Sequence, residues 1–221
     1  TPEHKVVVTI THAGYVKRLP VTEYRTQGRG GKGVIGAETK EEDFTEQVFV
    51  ASTHDDLLCF TNTGRVFKMK VYEIPEASRT SRGRAIVNLV ELKEGERIRE
   101  YMPIEDFERE EAFLFFATAQ GTVKRTALKD YRNVHRAGII AINLREGDSL
   151  VGVTWTSGSD HILLGTAHGQ AIRFHEDDAR AMGRNASGVR GINLEKGDEV
   201  IGLVRCLPED KRHLLTVTEN G

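Results

Sequence analysis

One short pattern, written five times, limits what this chain can fold into. Thr11-His12-Ala13-Gly14-Tyr15-Val16-Lys17-Arg18 recurs as Thr61-Asn62-Thr63-Gly64-Arg65-Val66-Phe67-Lys68, as Thr118-Ala119-Gln120-Gly121-Thr122-Val123-Lys124-Arg125 and as Thr166-Ala167-His168-Gly169-Gln170-Ala171-Ile172-Arg173. A fifth copy begins at Thr218 and breaks off at Gly221. A period of about fifty residues marks a solenoid, propeller or array, because one unit cannot bury both of its faces and must pack against the next.

Each copy follows a β-rich apolar run, such as Val6 to Ile10 or Phe113 to Phe116, and leads into a second short strand. That is a β-hairpin, with the glycine at the turn position that needs a positive φ. A second alignment follows at Gly31, Gly83, Gly138 and Gly188, and after it come three matching runs, Ile86 to Leu89, Ala141 to Leu144 and Gly191 to Leu194, predicted as strands. The turns Glu94-Gly95-Glu96, Glu146-Gly147-Asp148 and Lys196-Gly197-Asp198 then lead into one more strand each. Four strands per unit of about fifty residues is the arithmetic of a propeller blade. The fold class expected is all-β, with residues 1–221 as a single repeat domain of units near 6–50, 51–111, 112–160 and 161–210 and a fragment at 211–221. Only Asp177 to Met182 and Glu105 to Glu111 leave room for a helical turn.

Composition excludes several functions. The 221 residues carry a net charge of -2, 38% hydrophobic and 29% charged residues, which is ordinary for a globular domain and leaves open a basic face beside an acidic one. Cys59 and Cys206 lie far apart in apolar contexts and read as buried free thiols. The N-terminus has no basic-then-apolar leader, and no apolar run nears the ~20 residues of a spanning helix, so a cytosolic protein is expected. The eight histidines have no ligand spacing, so neither metal nor cofactor is expected. Glu41-Glu42 and Asp177-Asp178 read as exposed turns and not as acid-base dyads. A single tryptophan without repeated Trp-Asp pairs excludes a WD-type propeller. Gly28-x-Gly30-x-x-Gly33 matches a dinucleotide fingerprint, but no helix opens after it, and Lys32 is followed by glycine where a phosphate-binding NTPase loop needs Ser or Thr.

What recurs is a basic residue four after each hairpin glycine: Arg18, Lys68, Arg125 and Arg173, with Lys17 and Lys124 before two of them. The loop around the second glycine is basic too, with Arg25 and Arg29, then Arg79, Arg82 and Arg84, then Arg132 and Arg136, then Arg180, Arg184 and Arg190. Taken alone, any one of these reads as a solvated strand edge. Recurrence at one offset favours a belt of positive charge along one rim.

The loop Gln27-Gly28-Arg29-Gly30-Gly31-Lys32-Gly33 resembles the box of the gyrase A C-terminal domain family, whose pattern is Gln-Arg-Arg-Gly-Gly-Lys-Gly. Six of the seven positions agree; Gly28 replaces the first arginine. With the hairpin copies the likeness covers nearly the whole chain. It implies a β-pinwheel, a propeller in which neighbouring blades exchange strands, with six blades in the full domain and four and a fragment here. It also implies sequence-nonspecific binding and wrapping of double-stranded DNA, through the box and the basic positions above, as the non-catalytic accessory of an ATP-dependent type II topoisomerase. The implied partners are the rest of the gyrase A polypeptide together with gyrase B, in the bacterial cytoplasm at the nucleoid, with no membrane contact and the isolated domain a monomer. The corresponding domain of topoisomerase IV and a protein-interaction propeller stand as alternatives. No recognition helix or aromatic ribbon for reading bases is present in the pattern.

Overall fold

The computed structural model describes residues 2–26 and 43–207. In chain order, the first repeat gives β1 (Lys5–Thr11), β2 (Tyr15–Pro20), a helix α1 (Val21–Thr26) and β3 (Thr45–Ser52). The second gives β4 (Asp56–Thr61), β5 (Arg65–Lys70), β6 (Arg84–Ala85) and β7 (Ile98–Ile104), and the third β8 (Phe113–Thr118), β9 (Thr122–Ala127), β10 (Ile139–Ile140) and β11 (Leu150–Thr156). The fourth gives β12 (His161–Thr166), β13 (Ala171–His175), β14 (Val189–Arg190) and β15 (Val200–Cys206). These strands make four small antiparallel sheets, ordered β3-β1-β2-β6, β10-β5-β4-β7, β11-β8-β9-β14 and β13-β12-β15. The fold is all-β and of the propeller class.

The sheet orders show that repeats exchange strands. β6 of the second repeat pairs with β2 of the first (Tyr15 opposite Ala85), β10 of the third with β5 of the second (Val66 opposite Ile139), and β14 of the fourth with β9 of the third (Val123 opposite Val189). Each donated strand is two residues long and begins just after a glycine at positive φ: Gly83, Gly138 or Gly188. This corrects the sequence reading, which put strands at 86–89, 141–144 and 191–194. The reason is geometric. Ile86, Ala141 and Gly191 donate their N–H to the carbonyls of the hairpin glycines Gly14, Gly64 and Gly121. There the host hairpin turns and the ladder ends with it; in the third repeat the Ile142 amide still reaches Gly64 O, and the Asn143 amide goes to Ala186 O. Ile86 to Asn88 instead curls into a 3-10 turn.

The recurrent threonine and the acidic turns have one structural purpose. Thr11, Thr61, Thr118 and Thr166 each accept, at Oγ1, the N–H of the residue just after the hairpin glycine, at 3.0 to 3.2 Å. A carboxylate from the later turn clamps the same tip: Asp43 accepts Ala13 N–H, Asp148 accepts Gln120 N–H and Asp198 accepts His168 N–H. Burial pushes Asp43 and Asp198 up, but the hydrogen bonds each accepts outweigh that and hold both below the usual carboxylate range. In the second repeat Glu96 takes this place, its carboxylate fully enclosed by Thr61, Thr63 and Arg65. The hairpin glycines Gly14, Gly64, Gly121 and Gly169 all have φ between 85° and 89°.

The chain falls into two compact units: Thr1–Leu58 with Lys68–Glu94 and Met102–Glu105, and Cys59–Phe67 with Gly95–Tyr101 and Asp106–Gly221. In the first, Val6, Val8 and Ile10 of β1 are buried with Val16 and Leu19 of β2, Ala51 of β3, Ile74 and Ile86. In the second, Phe60, Phe116 and Tyr131 meet edge-on or tilted at centroid distances of 5.6 to 6.1 Å. A second cluster there joins Phe115, Ala117, Val123, Ile162, Leu164, Ala179 and Val200. Burying each such large side chain stabilises the fold by about 1.5–3 kcal/mol. Cys59 and Cys206 are buried free thiols, and burial pushes the Cys59 thiol up. Of the two segments with room for a helical turn, the first overlaps a 3-10 turn at Glu176 to Asp178, while 105–111 has no helix. α1 and the turns at 71–73 and 128–131 are too short to show a period in the sequence.

Candidate nucleic-acid interface

In the first unit, Lys17 and Arg18 are adjacent on β2 and therefore point to opposite faces of the sheet. Both end on backbone carbonyls of the segment that leads to Gly83. Lys17 Nζ donates to the carbonyls of Ser78, Arg79 and Ser81 at 3.2, 2.8 and 2.8 Å. Arg18 is 8% exposed; its Nε donates to Ile74 O at 2.6 Å, and Glu76 stands 3.8 Å from Nη1. Two backbone bonds, Arg18 N to Pro75 O and Ala77 N to Arg18 O, tie the segment to β2. The loop so held carries Arg79, half-buried, Arg82, stacked 4.4 Å over the Tyr15 ring, and Arg84, exposed.

The second unit repeats this arrangement. Lys124 on β9 has no solvent exposure, and its Nζ donates to the carbonyls of Ala141, Gly183 and Arg184, at 3.4 Å for Gly183 and 2.6 Å for Arg184. Burial, with a smaller push from Arg184, lowers its pKa to about 7, against the opposing pull of Asp130. The Phe116 ring lies 5.0 Å from the same ammonium. Arg125 is 8% exposed, donating from Nε to Ala179 O at 2.9 Å and lying 3.5 Å from Glu176. The loop above carries Arg180 and Arg190, both exposed, and Arg184, whose Nη1 donates to Ile140 O.

The remaining positions differ. Lys68 is half-buried; Arg173 is exposed, with Nε 3.4 Å from His161 Nδ1. Arg132 is exposed and paired with Glu108 at 3.1 Å, and Arg136 is exposed. The box residues Gln27, Gly28, Arg29, Gly30, Gly31, Lys32 and Gly33, and the side chain of Arg25, lie outside the described residues. The structure therefore sorts the recurrent cations by depth. Arg18, Lys124 and Arg125 are buried and hold backbone, whereas Arg84, Arg132, Arg136, Arg173, Arg180 and Arg190 reach solvent.

Two contributors escaped the sequence reading. Arg145 supports the second glycine of the fourth repeat, donating to Gly188 O at 3.2 Å and to Thr122 Oγ1 at 2.8 Å. Glu176 is fully buried and accepts from Thr156, the Gly158 and Asp160 amides and Arg125. The signal for Glu176 was present: it stands seven after its hairpin glycine, where the other repeats carry Val21, Val71 and Leu128. A carboxylate in an apolar column calls for a buried partner, and Arg125 is that partner. Among the described residues no group of three or more His, Cys, Asp or Glu is placed to hold a metal ion, and no helix is long and apolar enough to cross a membrane.

The sequence family described as DNA gyrase C-terminal domain, beta-propeller, matches residues 5–52, 55–99, 112–154 and 160–206. The gyrase A protein of Salmonella typhimurium is 52% identical over 219 residues, which is 99% of this chain and 25% of that protein. The chain thus spans about a quarter of that relative. Among solved structures, the C-terminal domain of DNA topoisomerase IV superposes with a TM-score of 0.82 at 31% identity, covering 95% of this chain and 64% of that one. A DNA gyrase A C-terminal domain superposes with a TM-score of 0.68 at 28% identity, covering 91% and 65%.

Proposed function

Because the chain belongs to the family of DNA gyrase C-terminal domains, we propose that it binds double-stranded DNA without regard to sequence and bends it, as the accessory domain of a gyrase that introduces negative supercoils. In this reading residues 1–221 act as one repeat domain. The strand-passage chemistry belongs to the rest of the gyrase A polypeptide together with gyrase B, which act on the chromosome in the bacterial cytoplasm.

One observation carries the reading. In both compact units an arginine-bearing loop is fastened over a hairpin by a buried arginine and a neighbouring lysine, leaving Arg84 in one and Arg180 and Arg190 in the other exposed. Cations carried on a loop whose backbone is already held meet phosphates with less ordering cost, and they read no bases. The box, Gln27 to Gly33, adds glycines that let backbone N–H groups approach an anion, with Arg29 and Lys32 to neutralise it. Bending 20–30 base pairs by 40–90° costs on the order of 1–6 kcal/mol, so several contacts must offset it together.

Topology footprinting tests the claim. A nicked plasmid closed by ligase in the presence of this chain is expected to shift its linking-number distribution in proportion to bound protein. An unchanged distribution at saturating binding removes bending and wrapping from the account. The topoisomerase IV alternative draws on the higher TM-score of that neighbour. The near-complete box and the 52% identity to a gyrase A protein favour gyrase.

A further inference from the structure

We infer that the Lys-Arg dipeptides Lys17-Arg18 and Lys124-Arg125 are latches between successive repeats, positioning the basic loop of the next repeat for the duplex and making no phosphate contact themselves. The inference rests on the DNA-binding reading only for the purpose of the loop; the latch itself stands on geometry.

The two latches agree in register. Counted back from the positive-φ glycine of the receiving loop, Gly83 or Gly188, both lysines bind the carbonyls five and four residues before it: Ser78 and Arg79 in one case, Gly183 and Arg184 in the other. Both arginines bind, through Nε, the carbonyl nine residues before it: Ile74 and Ala179. The residue seven before it, Glu76 or Ala181, bridges to the same arginine's backbone. Two independent sites with four matching contacts are a built feature.

Elsewhere the same column holds different chemistry, as an accessory device would. Phe67 replaces the lysine in the second repeat, and its ring lies so close to Gly138 that a Cβ there would meet it at 2.7 Å. There an aromatic ring, where the first and third repeats have an ammonium, packs against the glycine of the incoming loop. Lysine offers three donors on a flexible stem, which suits several convergent carbonyls, and the carbonyl four residues before the glycine belongs to a loop arginine, Arg79 or Arg184. Fixing that carbonyl fixes where the following arginines leave the backbone. An ammonium whose three N–H donors are engaged by three carbonyls has none left for a phosphate.

Amide hydrogen exchange and a double-mutant cycle on the chain itself test this. Lys17→Met is expected to speed exchange of amides 76–84 by roughly fivefold, as for one lost hydrogen bond of ~1 kcal/mol, and Lys17→Arg to restore most of the protection. Lys124→Met does the same at 180–190. In duplex binding, Lys17→Met is expected to weaken wild type but to have no further effect once Arg79, Arg82 and Arg84 are all alanine, because it acts through them. Unchanged exchange in 76–84 overturns the latch, and an undiminished effect of Lys17→Met in the triple-alanine background shows a direct contact and overturns positioning. Wild-type protein that binds no duplex defeats the DNA reading instead, and the exchange result then decides the latch alone. Should Lys124→Met fail to fold, the half-exposed Lys17 carries the test.

Discussion

Lys124 is a lysine ammonium without solvent, an uncommon placement that is tolerated only when the charge is partnered. Its pKa falls from 10.5 to about 7 because burial disfavours the charged form. Between those values the unfolded chain holds a proton that the folded chain has released, so folding stability contributed at this site rises with pH. Below pH 7 the burial cost is fully present. Wild type is therefore expected to gain stability relative to Lys124→Met as pH rises from 6.5 to 9, by up to about 1 kcal/mol per pH unit, measured as the difference in urea midpoints. A flat difference would mean that the ammonium stays charged throughout. At this scale the sequence told which positions recur but not which way they face. Lys17 and Arg18 look alike as letters whether they meet carbonyls or water; the direction depends on a loop some sixty positions on, which folds over β2 only in the assembled sheet.

Among the elements, the hairpins were legible because their causes are local: a threonine that bonds the N–H four residues on, and a glycine that takes the positive φ. The two-residue strands were not, since their length is set by where the host hairpin ends and not by their own side chains. The positive-φ glycines divide between strand pairing and open turns. At Gly188 (φ +98°) an added Cβ would overlap the Val123 carbonyl oxygen of the host strand, whereas Gly197 (φ +81°) opens on empty space. Gly197→Ala is expected to cost about 1–2 kcal/mol, the left-handed penalty alone. Gly188→Ala adds a backbone clash that must push β14 off β9, and should exceed it by at least roughly 1 kcal/mol. Denaturant unfolding with unchanged slope reads both; equal losses would show that β14 is not held closely.

For the molecule as a whole, the repeat and its all-β class followed from self-similarity in the sequence. The recurrent cationic positions are visible in the sequence, but their division into buried and exposed groups depends on the exchanged strands, which no single repeat contains. The central claim is that the exposed cations bind the phosphate backbone, and salt dependence addresses it most directly. Duplex affinity of wild type should fall linearly on a log-log plot against salt, with a slope of about -0.9 for each phosphate neutralised. Replacing Arg84, Arg180 and Arg190 together by alanine is expected to make that slope shallower by roughly 2 to 3. Tight wild-type binding that ignores salt, or a triple variant with an unaltered slope, would contradict the account.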